Sequence, residues 1–154
     1  MKTYLLVLLL IFAGCKSSRK ATTIKESQKA EIEISVSDTN VGFQIKNNLD
    51  EPLYILTPRK LDIYKFENDE WRKLKILICP CDAPCNAPEE KVAISAKETY
   101  LLTWNKNESW CGNRTPQGIR ETVESIATTG EYKIVVSFNH NGNTFNIIKE
   151  FEIK

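Results

Sequence analysis

Two patterns of hydrophobic and polar positions divide the chain. An uninterrupted apolar run covers residues 4–12 and gives way, after Ala13-Gly14-Cys15, to Lys16-Ser17-Ser18-Arg19-Lys20. From Glu31 onward the period is two: Ile32, Ile34 and Val36 alternate with Glu31, Glu33 and Ser35, as in a half-buried strand. Val41, Phe43 and Ile45 repeat the alternation, and the turn formers Asn47-Asn48-Leu49-Asp50-Glu51-Pro52 close it. Residues 53–56, 61–66, 71–78, 92–94 and 100–104 read as further short strands. The last pair, residues 132–138 and 144–153, flanks Asn141-Gly142, which suits the positive φ angles of a tight hairpin. Only residues 115–128 have helical spacing, through Ile119, Val123 and Ile126. Thr122, Val123 and Thr128-Thr129 are poor helix formers, so one short helix or an irregular connection is predicted there. Short strands with turn signals between them predict an all-β chain, an antiparallel β-sandwich of about seven to eight strands.

The first pattern sets the address. A spanning helix needs about 20 apolar residues, more than this run holds. Lys2, the apolar stretch and the small residues Ala13 and Gly14 fit a secretory signal peptide instead. With Cys15 directly after them, the segment resembles the lipobox of bacterial lipoproteins, from which Phe12 departs where Leu is usual. The resemblance implies removal of residues 1–14, lipidation of Cys15 as the new N-terminus, and a membrane of the cell envelope as the location. Lys16, rather than Asp, after the cysteine resembles lipoproteins sent on to an outer membrane.

Charge separates what remains. Lys16, Arg19, Lys20, Lys25 and Lys29 face one acid, Glu26, in residues 15–30, which read as a basic polar tether. Residues 31–154 hold 15 basic and 19 acidic side chains and read as one mildly acidic domain. No domain-wide basic balance or basic, aromatic-interleaved stripe points to nucleic acid.

Within that domain, Gly130-Glu131-Tyr132 resembles the tyrosine corner of immunoglobulin-like domains. The segment 43–49, Phe-Gln-Ile-Lys-Asn-Asn-Leu, followed by Thr129-Gly130-Glu131-Tyr132-Lys133-Ile134, is similar to bacterial immunoglobulin-like lipoprotein domains. A looser likeness is to the intracellular proteinase inhibitor type of β-sandwich. These resemblances imply the fold of residues 31–154; sandwiches host many roles, so they leave function open.

Besides Cys15 the chain has Cys79, Cys81 and Cys85 in Cys-Pro-Cys-Asp-Ala-Pro-Cys, and Cys111 in Trp-Cys-Gly. In an oxidising compartment an even set of four points to two disulfides. Pro80 stiffens the small ring that a Cys79–Cys81 bridge would need. That leaves Cys79–Cys111 with Cys81–Cys85, or Cys81–Cys111 with Cys79–Cys85. Four thiolates holding Zn²⁺ or Cu(I) are the alternative, but the spacing is not that of a zinc ribbon, so no metal ligand and no cofactor is assigned. Nor does a Cys-x-x-Cys precede a helix, as a redox-active pair would require.

Trp71 and Trp104 fall in strand patterns and read as core, whereas Trp110, beside Cys111 in a loop, is the candidate binding residue. Asp82, Glu89 and Glu90 read as a solvated acidic loop rather than a cation site, and Arg114 and Arg120 as surface partners of nearby carboxylates. The asparagines of Asn107-Glu108-Ser109 and Asn113-Arg114-Thr115 match a glycosylation pattern that a bacterial lipobox makes incidental. With one histidine, His140, and no Gly-x-Ser-x-Gly, no catalytic residues are assigned. The expectation is a non-catalytic interaction module, anchored to a membrane and engaging a protein partner through its cysteine-rich end. A metal- or small-ligand-binding domain and a proteinase-inhibitor-like module are the alternatives.

Overall fold

The computed structural model describes residues 26–86 and 89–154; the apolar run, Cys15 and the tether up to Lys25 lie outside them. The described chain starts with a single helical turn, α1 (Glu26–Lys29), and runs directly into β1 (Ala30–Val36), β2 (Val41–Asn47), β3 (Leu53–Leu56) and β4 (Asp62–Glu67). Next come β5 (Glu70–Lys73), β6 (Lys91–Ile94), β7 (Thr99–Trp104), β8 (Asn107–Arg114), β9 (Arg120–Ile126), β10 (Gly130–His140) and β11 (Asn143–Ile153). The chain is all-β and its sheets are antiparallel. Its described strands outnumber the seven to eight expected, in part because β8 occupies a stretch read as loop and β9, its hairpin partner, lies where a short helix or irregular connection was predicted.

β1, β2 and β7 form one sheet in the order β1-β2-β7. The second sheet is built on β10, which pairs with β11 along one edge and with both β3 and β4 along the other. Phe138 faces Ile55 and Ile134 faces Ile63, so eight residues of the β3–β4 line run against four of β10. The surplus loops out at Thr57-Pro58-Arg59-Lys60, where Thr57 has φ 44° and Lys60 N donates to Thr57 O. β5 extends the sheet from β4, and β6 extends it from β3. The β10–β11 turn is the tight hairpin expected, with φ 50° at Asn141 and 80° at Gly142.

Alternation then sorts the side chains. Ile32, Val41, Phe43, Ile45 and Trp104 of the first sheet share one buried cluster with Leu53, Ile55, Ile63, Ile134, Val136 and Phe138 of the second. Aromatic contacts cross between the sheets: Phe43 meets Phe151 edge-on at 5.6 Å, and Trp104 meets Tyr132 at 5.8 Å. Trp104 is core, as its strand pattern implies. Trp71 is not: it is half-buried outside the cluster, packed on Phe66 with Lys133 Nζ 4.3 Å from its ring.

One fully buried polar residue belongs to this core. Asn47 reads in sequence as the start of a turn, yet its amide nitrogen reaches the carbonyls of Glu51, Ile94 and Ser95, at 2.8, 3.1 and 3.0 Å. Its Oδ1 accepts from Leu49 N at 2.9 Å. The side chain thus ties the β2–β3 turn to the end of β6. Asn47→Ala strands several buried polar groups at once and is expected to cost about 2 kcal/mol in urea unfolding.

Candidate functional site

Beyond β5 the chain leaves the second sheet and builds a lobe with the β8–β9 hairpin. The strand predicted over residues 71–78 ends at Lys73; Leu74 N makes a last bond to Ile63 O, at 2.8 Å. Ser109 of β8 captures the segment after Leu74, its N–H donating to Lys75 O at 2.7 Å and its Oγ accepting from Leu77 N at 2.8 Å. Arg72 fastens the base of the lobe by a two-pronged pair with Glu108, at 2.9 and 2.8 Å, and also meets Glu67. Hydrogen bonding to Arg72 holds the Glu108 carboxyl below the usual carboxylate range, and the same partners raise the Arg72 guanidinium.

The cysteines close the lobe. Of the two pairings left open by sequence, the structure has Cys79 with Cys85 and Cys81 with Cys111, at Cα–Cα separations of 5.9 and 5.6 Å. Cys81 is buried, and Cys85 lies at the surface. Pro80, Pro84 and the positive φ of Asp82 (52°) keep the segment between them out of regular structure. Cys81 N donates to Thr122 Oγ1 at 2.9 Å. Asp82 receives the backbone N–H of Arg120 at 2.9 Å and its guanidinium at 2.6 Å, so its carboxyl is held well below the usual range by Arg120. Asp82 is therefore a fastening of β9 rather than a free member of an acidic loop.

Trp110 lies in β8 opposite Val123, half-buried, and not in an exposed loop. A side chain at Gly112 would bring its Cβ to 2.6 Å from Val123 Cγ2, so glycine lets the strands close beside Trp110. The apolar groups the lobe offers to solvent are instead Ile119, at the hairpin end, and Ile126, 55% and 76% exposed. Sequence reasoning missed both, because their spacing with Val123 looks like a helix face.

Among the described residues no group of three or more His, Cys, Asp or Glu side chains is arranged to hold a metal ion. The paired cysteines form no thiolate quartet. His140, in the β10–β11 turn, bonds Glu51 Oε1 at 2.7 Å, remote from the lobe in the chain. No described helix is long and apolar enough to cross a membrane. The sequence matches no protein-family model and no curated protein. The lobe's chemistry is that of a rigid, cross-braced surface with two exposed isoleucines.

Proposed function

We propose that the chain is a lipid-anchored, non-catalytic binding module of the bacterial cell envelope, an immunoglobulin-like β-sandwich that engages a protein partner through its β8–β9 lobe. The braced lobe carries this reading. The Cys81–Cys111 bridge, the Asp82–Arg120 pair and the Arg72–Glu108 pair hold in one geometry a hairpin that contributes little to the core, while leaving Ile119 and Ile126 in water. Such preorganisation lowers the ordering cost of binding.

The immunoglobulin-like assignment is supported by strand order. β1-β2-β7 corresponds to A-B-E, and β11-β10-β4-β5 to G-F-C-C′, although β6 pairs with β3 rather than β7. Tyr132, at the start of the penultimate strand, donates its hydroxyl to Thr128 O, the bond a tyrosine corner makes. The anchor rests on Cys15 and its preceding residues.

Two measurements test the proposal. Mass spectrometry of the mature chain is expected to find acylated Cys15 at its N-terminus, and an unmodified Cys15 refutes the anchor. Photo-crosslinkers placed at Ile119 and Ile126 in the native envelope are expected to give one shared protein adduct that is absent from Ile148 on β11. Identical adducts at all three positions refute the lobe as the binding face.

A further inference from the structure

We infer that β7 is an interface for a second copy of the chain, the two β7 strands pairing antiparallel about a two-fold axis at Leu101. Strand edges present unpaired N–H and C=O groups, and proteins commonly blunt them with charged side chains, proline or bulges. The other strands at sheet margins follow this practice. β1 carries Glu31 and Glu33; β5 carries Glu70, Arg72 and Lys73; and β6 carries Lys91. β8 has Glu108 and Arg114, β9 has Arg120, Glu121 and Glu124, and β11 has Lys149, Glu150 and Glu152. β7, Thr-Tyr-Leu-Leu-Thr-Trp, has no charge and no proline, and its register with β2 runs unbroken. Leu101 at its middle is 63% exposed, with Thr99 and Thr103 exposed on either side.

The backbone favours the same reading. Asn47 N donates to Glu98 O at 2.9 Å, which sets the alternation along β7. Tyr100, Leu102 and Trp104 turn their N–H and C=O groups to β2, while Thr99, Leu101 and Thr103 turn theirs outward. Antiparallel pairing centred on Leu101 sets Leu101 against its counterpart and Thr99 against the second chain's Thr103. All three outward residues then find partners at once, and centring elsewhere leaves at least one of them without a partner in the strand. Leucine meets leucine and threonine meets threonine, both favourable cross-strand pairs. Just beyond the strand, Lys97 comes opposite Asn105 and Glu98 opposite Trp104, so no like charges face each other. The result is one continuous sheet, β1-β2-β7 joined to β7-β2-β1, an isologous contact of the kind that closes dimers. This self-complementarity selects a second copy over a foreign strand.

The test uses the full chain. Leu101→Cys, treated in native membranes with a short thiol–thiol crosslinker, is expected to give at least tenfold more covalent dimer than Ile148→Cys, a comparably exposed site on β11. Purified parent protein is expected to scatter light as a dimer. Leu101→Lys, which sets two ammonium groups face to face at an exposed position, is expected to shift the dimer at least tenfold toward monomer, with the melting temperature unchanged when both proteins are diluted to monomer. Equal dimer yields at positions 101 and 148, a monomeric parent, or a dimer indifferent to Leu101→Lys each overturn the inference. Crosslinking of position 101 to a different protein alone also overturns it and assigns the edge to a heterologous strand.

Discussion

Tyr132→Ala is expected to destabilise the domain by about 3–5 kcal/mol, as for other large aromatic truncations in a close-packed core. The ring is fully buried, stacked on Phe151 at 5.6 Å and in contact with Trp104, with Lys65 Nζ 5.9 Å from its centroid. Removing it opens the seam where the two sheets meet. Tyr132→Phe separates the hydroxyl from the ring: it loses only the bond to Thr128 O, and a cost of about 1 kcal/mol is expected. Burial also pushes the phenol upward from its ordinary pKa. A group whose folded pKa is raised gives stability that is complete below the unfolded pKa and lost as pH climbs through the folded one. Urea midpoints of the parent protein should therefore show no Tyr132-linked change below about pH 10 and a fall above it, the unfolded phenol titrating near there. In Tyr132→Phe that part of the alkaline fall should vanish. An unchanged alkaline limb in the phenylalanine variant would assign the fall to other groups.

The contrast between β10 and β9 explains what could be read from sequence. In β10 every second residue from Tyr132 to Phe138 enters the core, so burial leaves a period-two signature on the chain. β1, β2 and β7 carry the same signature for the same reason. β9 has Val123 alone half-buried, because the hairpin is held by a disulfide, two ion pairs and the bonds of Ser109 with Lys75 and Leu77 rather than by an apolar face. With that selection relaxed, Ile119, Val123 and Ile126 fell by chance on a helical period. The bracing was half legible: four cysteines implied two bridges, and Arg120 implied a carboxylate partner. Which cysteines paired, and which carboxylate, depended on how residues 79–82 cross the hairpin, a long-range placement that local pattern does not encode. Asn47 failed for the opposite reason: an asparagine ahead of Asn48-Leu49-Asp50 has the local look of a turn, and only the approach of β6 makes it a buried tie.

The two bridges are expected to differ in what they hold. Cys81–Cys111 spans 30 residues, which include β6, β7 and the first half of β8. In the chain-entropy account a loop of that length contributes about 3.5 kcal/mol, so Cys81→Ala with Cys111→Ala should lower urea stability by that order. Cys79–Cys85 spans six residues, and its double alanine variant should lose about 2 kcal/mol, with the change confined to the surface turn. Hydrogen exchange separates the global from the local effect. Loss of Cys81–Cys111 should speed exchange at β9 amides most, since Cys81 N also bonds Thr122 and Asp82 holds Arg120 from the same segment. The Glu108–Arg72 pair and the Ser109 bonds with Lys75 and Leu77 should then be the remaining fastenings of β8, and acidification should release the first: the carboxyl's lowered pKa means its contribution is present above the ordinary glutamate range and lost as pH falls through the folded value. A lobe that keeps its protection without Cys81–Cys111 would mean that residues 74–86 and the hairpin pack as a unit on their own, with the bridge only limiting the unfolded chain.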